Sequence, residues 1–487
     1  MKRANGLAAF AAGLAVLAAA ARAVAQESQT VAGARSTPPP PGPQRAVRYP
    51  APVATTLPNG LRVLAVRVPG SALVAADLVV PGGAAADPEA MSGVAALTAA
   101  LITRGTAQRT AKEISNTEDA LGATLVATAS SERTDVTTDA IAARFPAALA
   151  ILAEVVREPS FAPDEVASAK QRATSSVALQ NGSPADFARL VAARALFANA
   201  YGRPVGGTAR SIAAIDRAAV VAYHRAYYRP ADAVLTIGGD LSPAAAFALA
   251  QTAFGSWTPA GTGPAPAATA APAAPRTIVV DQPAAGRTAI VVARIGPLRS
   301  AADWAPASIA NAILSGYSGR LNEEIRVKRG LSYGAGSTLT SGRFAGSLVA
   351  STLVEHGKAP EALDVMLATI ASLQAAPPSA GELNTRRTSL LGGIANSVET
   401  TSGLVRAIAA NAWSGLPLDA LTASNAALGT VDAAAVGRFA GASLTAPSTI
   451  VLVGDASKFV DVLRKTQPGL VVIKAADLDL TSAGLTK

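Results

Sequence analysis

The 487-residue chain has no cysteine and only two histidines, His224 and His356. The first absence excludes disulfides, Cys-ligated zinc and iron–sulfur clusters. The second leaves too few imidazoles for a histidine-built metal centre. The two stand 132 residues apart, and a zinc site takes three or four ligands. His224, in "AYHRAYY", and His356, in "LVEHGKAP", read as structural or surface residues. "GLSYG", Gly330 to Gly334, matches G-x-S-x-G in letters, but it reads as a helix stop followed by a strand and not as the strand-turn-helix of a nucleophile elbow, and there is no thiol nucleophile. Neither "GSWTPAGTG" nor "LSGYSGR" is followed by the Gly-Lys-Ser/Thr of a phosphate loop. The net charge of +9 is not gathered into Lys/Arg runs with interleaved aromatics, so nucleic-acid binding is not expected. Beyond the N-terminus no apolar run approaches the ~20 residues that span a bilayer.

What is present divides the chain. Lys2 and Arg3 precede an apolar run of fifteen residues, Leu7 to Ala21, and Ala23-Val24-Ala25 precedes Gln26. That pattern predicts a signal peptide over residues 1–25. Its removal takes away three bases and no acid, leaving +6. With a composition rich in Ala and Arg, suggestive of a GC-rich bacterium, the expected destination is the periplasm, with no membrane attachment after cleavage. Residues 26–48 are a Pro-rich leader with too little apolar surface to pack. A first domain is expected over 49–257. It opens with "TTLPNGLRVLAVRV", a hairpin signal at Asn59-Gly60. Residues 258–275, rich in Pro and Ala, read as a linker. A second domain follows over 276–475, then a tail, 476–487.

The second domain repeats the first. Ile215 to Val220, "IDRAAV", matches Val431 to Val436, "VDAAAV", at an offset of 216, and "AVLTIGGD" ending at Asp240 matches "TIVLVGD" ending at Asp455 at 215. A helix-Gly-strand pattern around Gly122 recurs around Gly330. This order predicts a duplicated α+β unit of about 200 residues.

The stretch that carries the most chemistry is "RLNEEIRVKRGLSYGAGSTL", Arg320 to Leu339. Leu321 and Ile325 lie four apart on one helix face, Gly330 is a natural helix stop, and "LSYGAGSTL" reads as a strand. Arg326 falls on the last helical turns and Tyr333 just inside the strand. A guanidinium and a phenol held there can donate hydrogen bonds to a peptide carbonyl or to the oxyanion it becomes. From the residues alone, the pair is equally a solvated helix Arg and a half-buried strand Tyr.

The segment resembles the R-x-K-R-G-L-x-Y stretch of the insulinase/pitrilysin-type peptidases, the inverted zincins. "TLPNGLRVLAV", "PGGAAADP", "SGVAALTAALITRGT" and "YYRPADAVLTIGGD" resemble further landmarks of that family, in its order. The resemblance implies two homologous domains, each a mostly antiparallel sheet with helices on one side, as in mitochondrial processing peptidase. It also implies that Arg326 and Tyr333 serve a zinc site carried by a first domain. Here that site is degenerate. Where the family reads G-x-x-H-F-L-E-H-x-x-x-x-G-T, this chain keeps Gly93 and Gly105-Thr106 but has Ala96, Ala99 and Ala100 at the His, Glu and His positions. The third ligand position falls near Ser175 or Ser176. Alanine neither binds zinc nor takes a proton from a bound water. The resemblance therefore implies no cofactor in this chain. It would be the non-zinc subunit of a bacterial heterodimeric peptidase, with zinc in a homologous H-x-x-E-H partner and peptides as substrate. The alternatives are a structural subunit like the related respiratory-complex core proteins, and a peptide-binding protein that does not cut.

Overall fold

The computed structural model describes residues 47–258 and 269–486. The expected signal peptide, nearly all of the leader and the middle of the linker lie outside the described residues.

Among the described residues twelve strands form two six-stranded sheets. The first holds β1 (Val53–Thr56), β2 (Arg62–Arg67), β3 (Leu73–Pro81), β4 (Thr124–Ala129), β5 (Arg133–Ile141) and β6 (Val234–Gly239), in the order β1-β2-β6-β3-β5-β4. The second holds β7 (Thr277–Asp281), β8 (Thr288–Ile295), β9 (Ser332–Ser341), β10 (Gly346–Val354), β11 (Thr449–Gly454) and β12 (Val471–Lys474), in the order β12-β7-β11-β8-β10-β9. The inner order is the same in both, with β2, β6, β3, β5 and β4 answering to β7, β11, β8, β10 and β9. Most neighbours are antiparallel; β6 runs parallel to β2, and β7 parallel to β11 and β12. The matched hexapeptides do the same job in each half. Asp216 and Asp432 each cap a helix, accepting the N–H of Ala219 and Ala435 at 2.7 Å.

Hydropathy explains the layering. β3, β8 and β11 are near-continuous apolar runs, and they are covered on both faces. β5 and β10 alternate, and so does their burial. One face of the first sheet packs under its own half's helices, where Leu78, Leu101, Leu152 and Phe254 are fully buried or nearly so. The second sheet does likewise around Ile290, Leu314, Leu363 and Leu452. Each such side chain contributes about 1.5–3 kcal/mol by leaving water.

The other face of each sheet is covered by a helix from the opposite half. Thr401–Trp413 lies on β3 and β6, with Val405 and Ile408 against Leu64 and Ala75. Reciprocally, Pro184–Leu196 lies on β8 and β11, with Val191 and Ala195 against Val291 and Val451. A turn-to-turn contact reinforces the seam. The Glu132 carboxylate, between β4 and β5, accepts the backbone N–H groups of Arg343 and Phe344 at 2.8 Å and of Ala345 at 3.0 Å. Trp413 Nε1 donates to it at 3.4 Å.

Candidate functional site

Arg326 stands on an irregular turn. The helix begins at Arg320–Asn322 and widens to a π-helical turn over Glu323–Val327, where the Lys328 N–H reaches Glu323 O, five residues back, at 2.9 Å. Leu321 and Ile325, both fully buried, anchor the inner face. Gly330 ends the helix at φ +61°, a conformation that costs a glycine little, and its N–H returns to Arg326 O at 3.0 Å. Neighbouring cations are paired: Arg320 with Glu382, and Lys328 and Arg329 with Glu324. Arg326 has no such acid among the described residues. Its guanidinium lies over the ring of Tyr317, 5.0 Å from the centroid.

Tyr333 stands on a second irregularity. Ser332 pairs with Val354 and Ala335 with Thr352, so Tyr333 and Gly334 together oppose Leu353. This one-residue bulge at the free edge of the sheet turns the phenol outward, 78 % exposed. Thr352 Oγ1 donates to Gly334 O and Ser332 Oγ to Leu353 O, which holds the bulge. Arg287 lies over the phenol ring at 5.1 Å. Asn322, buried, ties the two irregularities together: its Nδ2 donates to Tyr317 O at 2.6 Å and its Oδ1 accepts the Ala335 N–H at 3.3 Å.

The expected pair thus sits as the sequence places it, on helix end and strand start. Its members do not stack on each other; each meets a different residue. Tyr317 and Arg287 are the additions. Tyr317, 77 % exposed, lies in the turn 315–319 before the helix, and Arg287 reaches Tyr333 from just before β8, two strands away. Each contact sets a half-buried guanidinium against an exposed phenol, and both groups can donate to carbonyl oxygens.

The first-half helix Val94–Ile102 keeps its frame. Gly93, at φ +99°, leaves no room for a Cβ, which would fall 2.9 Å from Gly206 O. Asp87 accepts the N–H groups of Gly93 at 2.6 Å and Ala95 at 3.1 Å, and burial pushes its carboxyl up to about 7. On this framed helix Ala96 is half-buried, Ala99 is 2 % exposed and Ala100 is exposed. Ser176 is exposed on the helix Pro163–Gly182, which packs against it. Methyl groups and a hydroxyl do not fit zinc. Among the described residues no three His, Asp or Glu side chains form a group that could hold a metal ion. Both histidines are engaged elsewhere. His224 Nε2 donates to Val156 O at 2.8 Å, the ring packs on Phe161 and Tyr228, and burial pushes it down to about 4. His356 Nε2 donates to Ala285 O at 3.0 Å, and its Nδ1 meets the Thr288 hydroxyl at 2.8 Å.

Comparison with known proteins gives consistent matches. Residues 62–209 match the family described as insulinase (peptidase family M16), and residues 214–390 match the peptidase M16 inactive domain. An uncharacterized zinc protease of Mycobacterium leprae is 27% identical over 363 residues, covering 74% of this chain and 82% of that protein. The peptidase M16 inactive domain from Pseudomonas fluorescens has a similar crystal structure, with a TM-score of 0.78 at 26% identity over 83% of this chain and 98% of that one. A protease from Helicobacter pylori reaches the same TM-score at 19% identity, over 83% and 99%, a likeness of fold.

Proposed function

The chain belongs to the insulinase-type M16 peptidase family, and we propose that it acts there as a subunit without zinc, contributing Arg326 and Tyr333 to peptide hydrolysis by a homologous partner. The observation that carries this reading is a contrast within one chain. The zinc-helix frame persists with methyl groups at its His, Glu and His positions, while Arg326 stands at a helix end and Tyr333 on an edge strand, with no acid paired to either among the described residues. In the proposed reaction the Tyr333 O–H donates to the oxyanion that forms as the scissile carbonyl becomes tetrahedral. Arg326 holds a neighbouring carbonyl of the peptide. Removing one such donor costs on the order of 10²–10³ in turnover. Zinc would belong to the partner's H-x-x-E-H helix, and the signal-like N-terminus supports assembly in the periplasm.

Co-expression with a homologous H-x-x-E-H chain, sought first among the neighbouring genes, tests the proposal. A stable complex is expected that cleaves peptides faster than the partner alone; equal rates with and without this chain would overturn it. A scaffold role is the second reading, favoured by the position of the Arg326 guanidinium over Tyr317. In that case the complex forms but variants at Arg326 and Tyr333 cleave like wild type.

A further inference from the structure

At the other end of the second sheet from Tyr333 an open groove with a volume of about 600 Å³ lies between strand ends and helices. β8 links the two places. Thr288 lies in the row that reaches Ser332, and Arg294 in the row that reaches Leu339. Six residues of strand put these rows about 20 Å apart. Arg294 and Ile450 form part of the floor, Leu367 and Ala371 of the helix Ala359–Ala375 one wall, and the turn around Pro447 another.

The charges are one-sided. Arg276 and Arg294 line the groove, and no aspartate or glutamate does. Arg294 is only 8 % exposed. Among the described residues it has no carboxylate partner, and its one recorded bond runs from Nε to Ala446 O at 3.3 Å. Burial pushes its guanidinium down to about 10. Arg276 donates to Ala483 O, and its Nε is buried without a partner. Two other places show how this chain usually treats such groups. Arg194, also buried, donates to four carbonyl oxygens. The open groove beside Arg320 is lined by bases and by the acids that pair with them. A buried guanidinium with a single carbonyl acceptor and no acid is costly to the fold, and a bound anion offsets that cost.

We propose that this groove binds an organic carboxylate, whose oxygens take the fork of Arg294 while an apolar body lies along Leu367, Ala371, Pro447 and Ile450. Guanidinium planarity favours such two-pronged pairing, and the volume is that of small-molecule sites. The chemistry is shared by free carboxylic acids and by the C-terminus of a short apolar peptide. The site uses none of the residues assigned to peptide hydrolysis and stands whether or not that role does.

Calorimetry on the purified full chain tests it with octanoate, with acetyl-Leu-Leu as free acid and as amide, and with inorganic phosphate. At least one of the two carboxylates is expected to bind once per chain with a Kd below about 1 mM, and the amide and phosphate at least tenfold more weakly. Binding by octanoate alone assigns a free acid; binding by the peptide acid admits a peptide C-terminus. Arg294→Gln should weaken binding at least tenfold. Ala371→Phe, which puts a ring across the apolar wall and leaves the charge in place, should do the same. It decides the matter should Arg294→Gln fail to fold. Absence of binding by both acids, amide or phosphate binding as tightly as the acids, or wild-type affinity in Ala371→Phe would each overturn the proposal.

Discussion

The same helix-Gly-strand unit occurs in both halves, and only one copy is regular. Around Gly122 the helix Ala111–Leu121 is α-helical throughout, and β4 pairs with β5 in unbroken register. Around Gly330 the helix widens by one residue and the strand bulges by one. Arg326 sits in the first irregularity and Tyr333 in the second. An inserted residue disturbs regular pairing and re-aims the side chain it carries, and such insertions are common beside functional sites. The first half shows the converse: the capped helix Val94–Ile102 has no π turn, and alanines stand where the ligands would be. Irregular backbone and donor side chains occur together in one half, and the other half has neither at the matching places.

The largest expected effect tests that contrast directly. In the reconstituted complex Tyr333→Phe should lower kcat on the order of 10²–10³ with little change in KM, because only the O–H is lost and it meets charge that develops in the transition state. Arg326→Ala should raise KM as well. Gel filtration of each complex separates catalysis from assembly. Wild-type rates in both variants would erase the functional difference between the halves.

A smaller effect belongs to the seam. Glu132→Ala leaves three backbone N–H groups of the β9–β10 turn without their acceptor, so unfolding by urea should show a loss of about 1–3 kcal/mol. A single transition is expected; two separate transitions, with one unmoved by the substitution, would make the halves independent.

Smaller again is a pH dependence confined to the first half. Burial raises the Asp87 carboxyl from 3.8 to about 7 in the fold. The folded chain therefore holds this proton more tightly than the unfolded one. The stability it contributes is complete below about pH 4 and is lost as pH rises through about 7. The melting temperature should decline across that window and decline less in Asp87→Asn. Equal slopes would remove Asp87 from the account.

The smallest expected effect is none. Wild type should carry no stoichiometric zinc after dialysis, by elemental analysis. The combined substitutions Ala96→His, Ala99→Glu and Ala100→His should give no peptidase activity in this chain alone. Ala99 is closed into the core, and Ser176 is not a third ligand. Activity in that variant would mean the first half had kept more of a metal site than its side chains indicate.

Much of this was readable from residue types. Asn59-Gly60 marks the β1–β2 turn, Gly330 stops its helix, and the paired Asp216 and Asp432 mark a repeat that recurs as two sheets of one inner order. The alanines at 96, 99 and 100 state the missing chemistry outright. The widened turn was not readable, because five residues cannot distinguish a period of 3.6 from a slightly longer one. Nor was the bulge, since small residues such as Gly334 and Ala335 suit either register. Arg287 over Tyr333, and the isolation of Arg294, depend on strands brought together across the sheet, which no local pattern encodes. Each half's own helices pack on one side of its sheet, as expected; the cover of the second face comes from the other half, an arrangement that no local signal marks.

That exchanged cover sets a timetable for synthesis. The last strand of the first sheet, β6, ends at Gly239, and the helix that closes its second face ends at Trp413. At about 5–20 residues per second, the intervening 174 residues take about 10–35 s to emerge. A first sheet formed before that helix is available would have Leu64, Val66 and Ala75 uncovered. A nascent chain of this design is a natural client for a holding chaperone, and a ribosome stalled before residue 401 would present it with an adhesive surface.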